Sequence, residues 1–157
     1  MNKKKVLIIG GVACGPKAGA RIKRLDPDAE VTILEKGELI SYAGCGLPYY
    51  ISGQVDNDNE LMATPTGVVR NPAFFKMVKD IDVKNHTLAQ SIDREHKVVT
   101  AVDLSTGTPI EYQYDDLVLC VGSQFRKPPF PGIDLAGVHF LQTVADARKI
   151  RNESGPL

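Results

Sequence analysis

The sequence predicts an α/β fold built on a parallel sheet, with a three-stranded antiparallel β-meander attached to it. An apolar run, Val6 to Ile9, ends on a glycine pair, and an amphipathic segment and a second apolar run follow within about 30 residues, the spacing of a βαβ unit. Aromatic residues make up only 6% of the chain and Trp is absent, so the core must be aliphatic, as that of a buried parallel sheet is. Three short β-rich runs cluster between Thr87 and Tyr114, separated by turn residues.

The elements follow in order. Val6 to Ile9 reads as a buried strand entering a tight turn. Ala18, Ile22 and Leu25 then form one apolar stripe of a helix, with Lys17, Arg21, Lys23 and Arg24 left for solvent and Asp26-Pro27 as its stop. Val31 to Leu34 is the second strand and closes on Glu35. Lys36 to Asn71 shows little periodicity, although Cys45 to Ile51 suits a short helix with Pro48 in its first turn, and Thr64 to Asn71 reads as loop. Pro72 opens another short helix through Phe74, Phe75 and Val78, ending near Asp80, and Ile81 to Val83 is a brief strand. The meander runs are Thr87 to Asp93, Val98 to Leu104 and Ile110 to Tyr114. Leu117 to Val121 reads as a further buried strand ending in Gly122, and the three prolines between Lys127 and Gly132 mark an extended surface connector.

Composition narrows the partners. A chain of 157 residues with 19 Lys+Arg against 19 Asp+Glu is expected to form one compact domain, without the cationic surplus that nucleic-acid binding requires. No apolar run approaches the roughly 20 residues that cross a bilayer, so no membrane partner is expected. Three Lys ahead of an apolar run that reaches Cys14 look superficially like a lipoprotein leader. Gly10 and Gly11 break that run and a helical pattern follows at once, which makes the cytoplasm the expected location. Cys14, Cys45 and Cys120 form no ligand spacing and no CxxC pair, so free thiols are expected, with neither a metal site nor a disulfide framework. Cys120, inside an apolar run, reads as core packing, and His86, His96 and His139 stand in surface or packing contexts.

Two segments carry chemistry. Gly10-Gly11-Val12-Ala13-Cys14-Gly15 lies between strand and helix, where a backbone turn can approach a pyrophosphate and aim helix N–H groups at it. It matches the dinucleotide fingerprint at Gly10 and Gly15, with Val12 in place of the middle glycine, and Glu35 ends the next strand where an acid accepts ribose hydroxyls. This makes the fold Rossmann-like and leaves FAD and NAD(P) both open as the dinucleotide. The second segment, Ser41 to Gly53, holds Cys45 between Gly44 and Gly46 at the start of the short helix. There the helix end favours a thiolate, the form that attacks disulfide or persulfide sulfur, while the plainer reading is a structural cysteine.

In these segments, and in Tyr114 to Asp134, the chain resembles the single-cysteine branch of the pyridine nucleotide-disulfide oxidoreductases, which includes coenzyme A disulfide reductases and NADH-dependent persulfide or polysulfide reductases. Leu47-Pro48-Tyr49 after Gly46 looks more like these than like the NADH oxidase and peroxidase branch. The resemblance implies an FAD/NAD(P)-binding fold, with FAD as cofactor and NAD(P)H as electron donor. It places Gly10, Val12, Ala13 and Gly15 at the pyrophosphate, Glu35 on the adenosine ribose, Lys36 beside it, and Ala89 where a backbone meets adenine. Cys45 becomes the redox-active residue, and Gly122 ends a second FAD-contacting turn. That turn is Ala-Thr-Gly in the family but Cys120-Val121-Gly122 here; Cys14 likewise stands for a common glycine, and Pro16 follows Gly15. The implied substrate is a small disulfide, persulfide or polysulfide, and the implied parent enzyme is a homodimer. Residues 1–150 are expected to be the N-terminal portion of a discontinuous FAD-binding domain, and 151–157 a linker towards a nicotinamide-binding domain. The other readings are an oxidase or peroxidase cycling Cys45 through sulfenic acid, and a non-catalytic nucleotide-binding module.

Overall fold

The computed structural model describes residues 3–154. In chain order the elements are β1 (Lys5–Ile9), α1 (Cys14–Leu25), β2 (Glu30–Leu34), α2 (Leu47–Ile51), α3 (Pro72–Lys79), β3 (Ile81–Lys84), β4 (Thr87–Asp93), β5 (Val98–Asp103), β6 (Pro109–Gln113), β7 (Asp116–Leu119) and α4 (Val144–Ser154). Short 3₁₀ turns occupy Gly44–Gly46 and Asp58–Met62. Contacts group these elements into two compact units, residues 3–42 with 70–121, and residues 43–69 with 122–154.

The first unit holds a parallel sheet of order β3-β2-β1-β7 and the antiparallel sheet β4-β5-β6. Alternation along β1 divides its side chains between two cores. Val6 and Ile8 pack with Val31, Ile33, Ile81 and Phe75, joined by Ala18 and Ile22 of α1. Leu7 faces the other way, with Leu34, Val99, Ala101 and Tyr114, so the meander covers the second face. Burial on both faces explains why β1 and β2 read as continuous apolar runs.

Several expectations need correction. Leu25 is 68% exposed; the buried residues of α1 are Gly15, Pro16 and Gly19, small enough to let the helix lie against Ile8, Val31 and Ile81. Lys23 is not left to solvent: its ammonium donates to the carbonyls of Pro27 and Ala29 and pairs with Asp80 at 2.8 Å. Val78 is exposed, because α3 buries only Phe75. The run Leu117 to Val121 is a strand only to Leu119, and Leu119 and Val121 are 58% and 69% exposed, since β7 is an edge strand of the described sheet.

The second unit contains α2 and α4. Arg148 Nε pairs with Asp58 at 2.6 Å, and Arg151 donates to the carbonyls of Val55 and Asp56 while its guanidinium lies 4.5 Å from the Tyr50 ring centroid. Residues 151–154, expected to begin a linker, complete α4; residues 155–157 lie outside the described residues. Among the described residues no helix is long and apolar enough to cross a membrane.

Candidate functional site

The glycine turn joins β1 to α1. Gly10 has φ +109°, and a Cβ there would lie 2.1 Å from the carbonyl oxygen of Cys120, so only glycine fits. A Cβ on Gly15 would fall 1.9 Å from the carbonyl oxygen of Gly10, which shows how closely α1 folds back onto the strand end. Ala13, at the helix N-cap, makes no side-chain capping bond, and the first turn of α1 carries no acidic residue. An N-terminus of that kind favours an anion, although Pro16 removes one N–H from the set.

Glu35 is 8% exposed and follows β2 directly. Its Oε2 accepts the Gly11 N–H at 2.6 Å and its Oε1 accepts the Gly37 N–H at 2.8 Å. Each carboxylate oxygen retains a further lone pair, so this clip leaves acceptor capacity for hydroxyls. The sequence reading gave Glu35 a ligand alone; the structure adds a role in holding the turn. The Glu35 carbonyl also accepts the Thr87 N–H at 2.9 Å, and the Gly37 carbonyl that of His86 at 3.1 Å, which brings the start of β4 alongside. Two residues on, Ala89 pairs with Ala101 immediately before a β-bulge at Gln90. Bulges free backbone groups from the ladder. Lys36 is exposed. Gly10, Val12, Ala13, Gly15, Glu35, Lys36 and Ala89 thus all belong to one unit, and its donors and acceptors suit a pyrophosphate and a ribose.

Cys45 and Gly122 belong to the second unit. Cys45 is exposed, in the middle of the Gly44–Gly46 turn rather than at the first residue of α2. Gly44 has open space where a Cβ would be, whereas a Cβ on Gly46 would lie 2.6 Å from Leu61 Cδ2. The turn is therefore packed against Leu61 at Gly46 and open beside Gly44. Behind it, Leu47 is buried and α2 is fastened by Arg151 stacking on Tyr50, a support that sequence reading missed. Gly122 has φ +67° and open surroundings. A hollow of about 200 Å³ in this unit is lined by Phe125, Val138, His139, Phe140 and Asp146, among others, and not by Cys45. His139 pairs with Glu153 at 2.8 Å and His96 with Asp93 at 2.7 Å. Among the described residues no group of three or more His, Cys, Asp or Glu is placed to hold a metal ion.

Known proteins resemble this chain in sequence and in fold. The family model described as pyridine nucleotide-disulphide oxidoreductase matches residues 4–157. A coenzyme A disulfide reductase of Staphylococcus haemolyticus is 36% identical over 76% of this chain and 26% of its own. An NAD(P)H coenzyme A polysulfide/persulfide reductase of Pyrococcus horikoshii is 35% identical over 95% of this chain and 31% of its own. The solved NAD-dependent persulfide reductase of A. fulgidus superposes with a TM-score of 0.89 at 43% identity, over 96% of this chain and 28% of its own. The chain thus spans less than a third of the length of these relatives.

Proposed function

The chain belongs to the pyridine nucleotide-disulphide oxidoreductase family, and from that premise we propose that residues 1–150 form the N-terminal portion of a discontinuous FAD-binding domain. The whole enzyme, a cytoplasmic homodimer in this reading, passes electrons from NAD(P)H through FAD and Cys45 to coenzyme A disulfide, a persulfide or a polysulfide. Gly10, Val12, Ala13 and Gly15 present backbone to the FAD pyrophosphate, and Glu35 accepts ribose hydroxyls on the lone pairs its two N–H partners leave free. Lys36 lies beside the ribose, Ala89 offers backbone to the adenine, and Gly122 completes a second contacting turn. Bound FAD supplies the passage from a hydride donor to sulfur. Cys45 as thiolate attacks one sulfur of the substrate, forms a mixed disulfide or persulfide, and releases the other sulfur as a thiol or a shortened polysulfide.

The observation that carries this reading is the exposed Cys45 thiol on a turn with open space at Gly44. It is tested by loading the protein with FAD, reducing it with dithionite without oxygen, and adding coenzyme A disulfide. Flavin absorbance is expected to return with release of coenzyme A thiol in the native protein and not in Cys45→Ser. Equal reoxidation in that variant overturns the assignment. A second reading, an oxidase or peroxidase using a Cys45 sulfenic acid, is favoured by the NADH oxidase of Methanocaldococcus jannaschii, 30% identical over 93% of this chain. Under that reading, peroxide or oxygen reoxidises the flavin through Cys45 while the disulfide does not.

A further inference from the structure

Helix α4 bears on the Cys45 turn through two arginines. Val144 and Ala147 of α4 are buried, and Arg148 and Arg151 continue that face at helical spacing. Helix α2 packs against α4. With five residues α2 is too short to hold its own shape, so its position comes from what surrounds it. Arg151 grips the chain that leaves α2: its guanidinium lies 4.5 Å from the Tyr50 ring centroid and donates to the carbonyls of Val55 at 3.2 Å and Asp56 at 3.0 Å. Arg148 Nε donates to Asp58 Oδ2 at 2.6 Å, and that side chain, 14% exposed, opens the 3₁₀ turn Asp58–Met62. The same turn carries Leu61, whose carbonyl accepts the Ala43 N–H at 2.8 Å and whose side chain fills the space beside Gly46. The Gly46 N–H in turn donates to the Ala43 carbonyl at 2.9 Å. Leu61 thus holds the Cys45 turn on both sides of its thiol residue.

We propose that Arg148 and Arg151 are positioning residues for Cys45, which fix the turn that carries its thiol and so set the rate at which that thiol attacks a disulfide sulfur. The inference rests on the reading of Cys45 as the residue that attacks substrate. Such an attack needs the thiolate aligned with the bond it breaks, so a displacement of about 1 Å at the sulfur lowers the rate while substrate still binds. Each arginine acts through others, Arg148 through Asp58 and Leu61, Arg151 through Tyr50 and the carbonyls that follow α2. The two also differ in what they demand. Arg148 makes an ion pair that a lysine can keep, whereas Arg151 combines a flat stack with two donated bonds, which takes the planar fork of a guanidinium.

The test follows the dithionite-reduced, FAD-loaded protein as increasing coenzyme A disulfide reoxidises its flavin, and measures amide exchange at Ala43 and Gly46 alongside. Arg148→Ala and Arg151→Ala are expected to lower the limiting rate about tenfold while the half-saturating disulfide concentration stays within about twofold. Exchange at Ala43 and Gly46 is expected to quicken about tenfold, with the amides of β1 and β2 unchanged as the check on folding. Arg148→Lys is expected to restore both quantities and Arg151→Lys neither. Asp58→Ala repeats the comparison from the other side of the ion pair should Arg148→Ala fail to fold. If Cys45→Ser reoxidises as fast as the native protein, the Cys45 reading has failed and the proposal falls with it. If Cys45→Ser is inert and the arginine variants keep either the native limiting rate or the native exchange at Ala43 and Gly46, the proposal alone is overturned.

Discussion

Glu35 is a buried carboxylate whose two oxygens are each taken by a backbone N–H, of Gly11 and of Gly37. Glutamine in its place turns one acceptor into a donor that faces an N–H, leaving that N–H without a partner in a buried site. Glu35→Gln is therefore expected to cost about 1–3 kcal/mol of stability, measured by urea unfolding, before any loss of nucleotide affinity is counted. Cys120 offers a pH test. Burial first, and the neighbouring Cys14 sulfur second, raise its thiol from the ordinary 9.0 to about 11. The native state thus holds that proton where the unfolded chain has lost it, so this contribution to stability is complete below pH 9 and falls away as pH rises towards 11. Alkylation of Cys120 in Cys45→Ser protein, followed by peptide mass, is expected to accelerate towards pH 11, and Cys14→Ala to move that rise to lower pH.

At the level of elements, β1 and β2 were legible because burial on both sheet faces leaves an unbroken apolar signature, and the meander because Arg94-Glu95 and Ser105-Thr106-Gly107 separate its β-rich runs. Helix α4 was missed by looking for apolar periodicity, since only Val144 and Ala147 of it are buried. Its start was nonetheless written in the chain. Thr143 and Asp146 form a reciprocal cap: the Thr143 N–H and hydroxyl donate to Asp146 Oδ2 at 2.8 Å each, and the Asp146 N–H returns to the Thr143 hydroxyl at 3.2 Å. Asn57 and Glu60 cap the 3₁₀ turn at Asp58–Met62 in the same way, equally unread. Burial works to raise the Asp146 carboxyl, but the hydrogen bonds from Thr143 and Gln142 outweigh it and hold it below the ordinary carboxylate range. A depressed carboxyl contributes stability above its unfolded value that is lost as pH falls through the folded one. Amide exchange in α4 is expected to quicken on acidification below about pH 4, and Asp146→Asn to lose about 1 kcal/mol at neutral pH while flattening that acid dependence.

For the whole molecule, what sequence reading could not reach is set by distance along the chain. The glycine turn, Glu35 and the Cys45 segment are each local patterns, whereas the seating of Cys120 against Gly10 exists only because β7 pairs with β1 in the register that sets Leu119 opposite Ile9. The same folding gathers Gly10, Val12, Ala13, Gly15, Glu35, Lys36 and Ala89 into one compact unit while Cys45 and Gly122 fall in the other. The residues assigned to pyrophosphate, ribose and adenine therefore answer to the ADP half of FAD, and that half should be separable by experiment. A ligand at about 100 times its Kd adds about 2.7 kcal/mol to the folded state, which for a chain of this size raises the unfolding midpoint by roughly 5–10 °C. Thermal unfolding is expected to shift by that order with saturating FAD and, by a smaller but definite amount, with ADP, and not with riboflavin. Glu35→Gln is expected to shrink both shifts. A protein raised by riboflavin and indifferent to ADP would place the recognised part of the cofactor at its ring and leave the glycine turn and Glu35 as elements of packing alone.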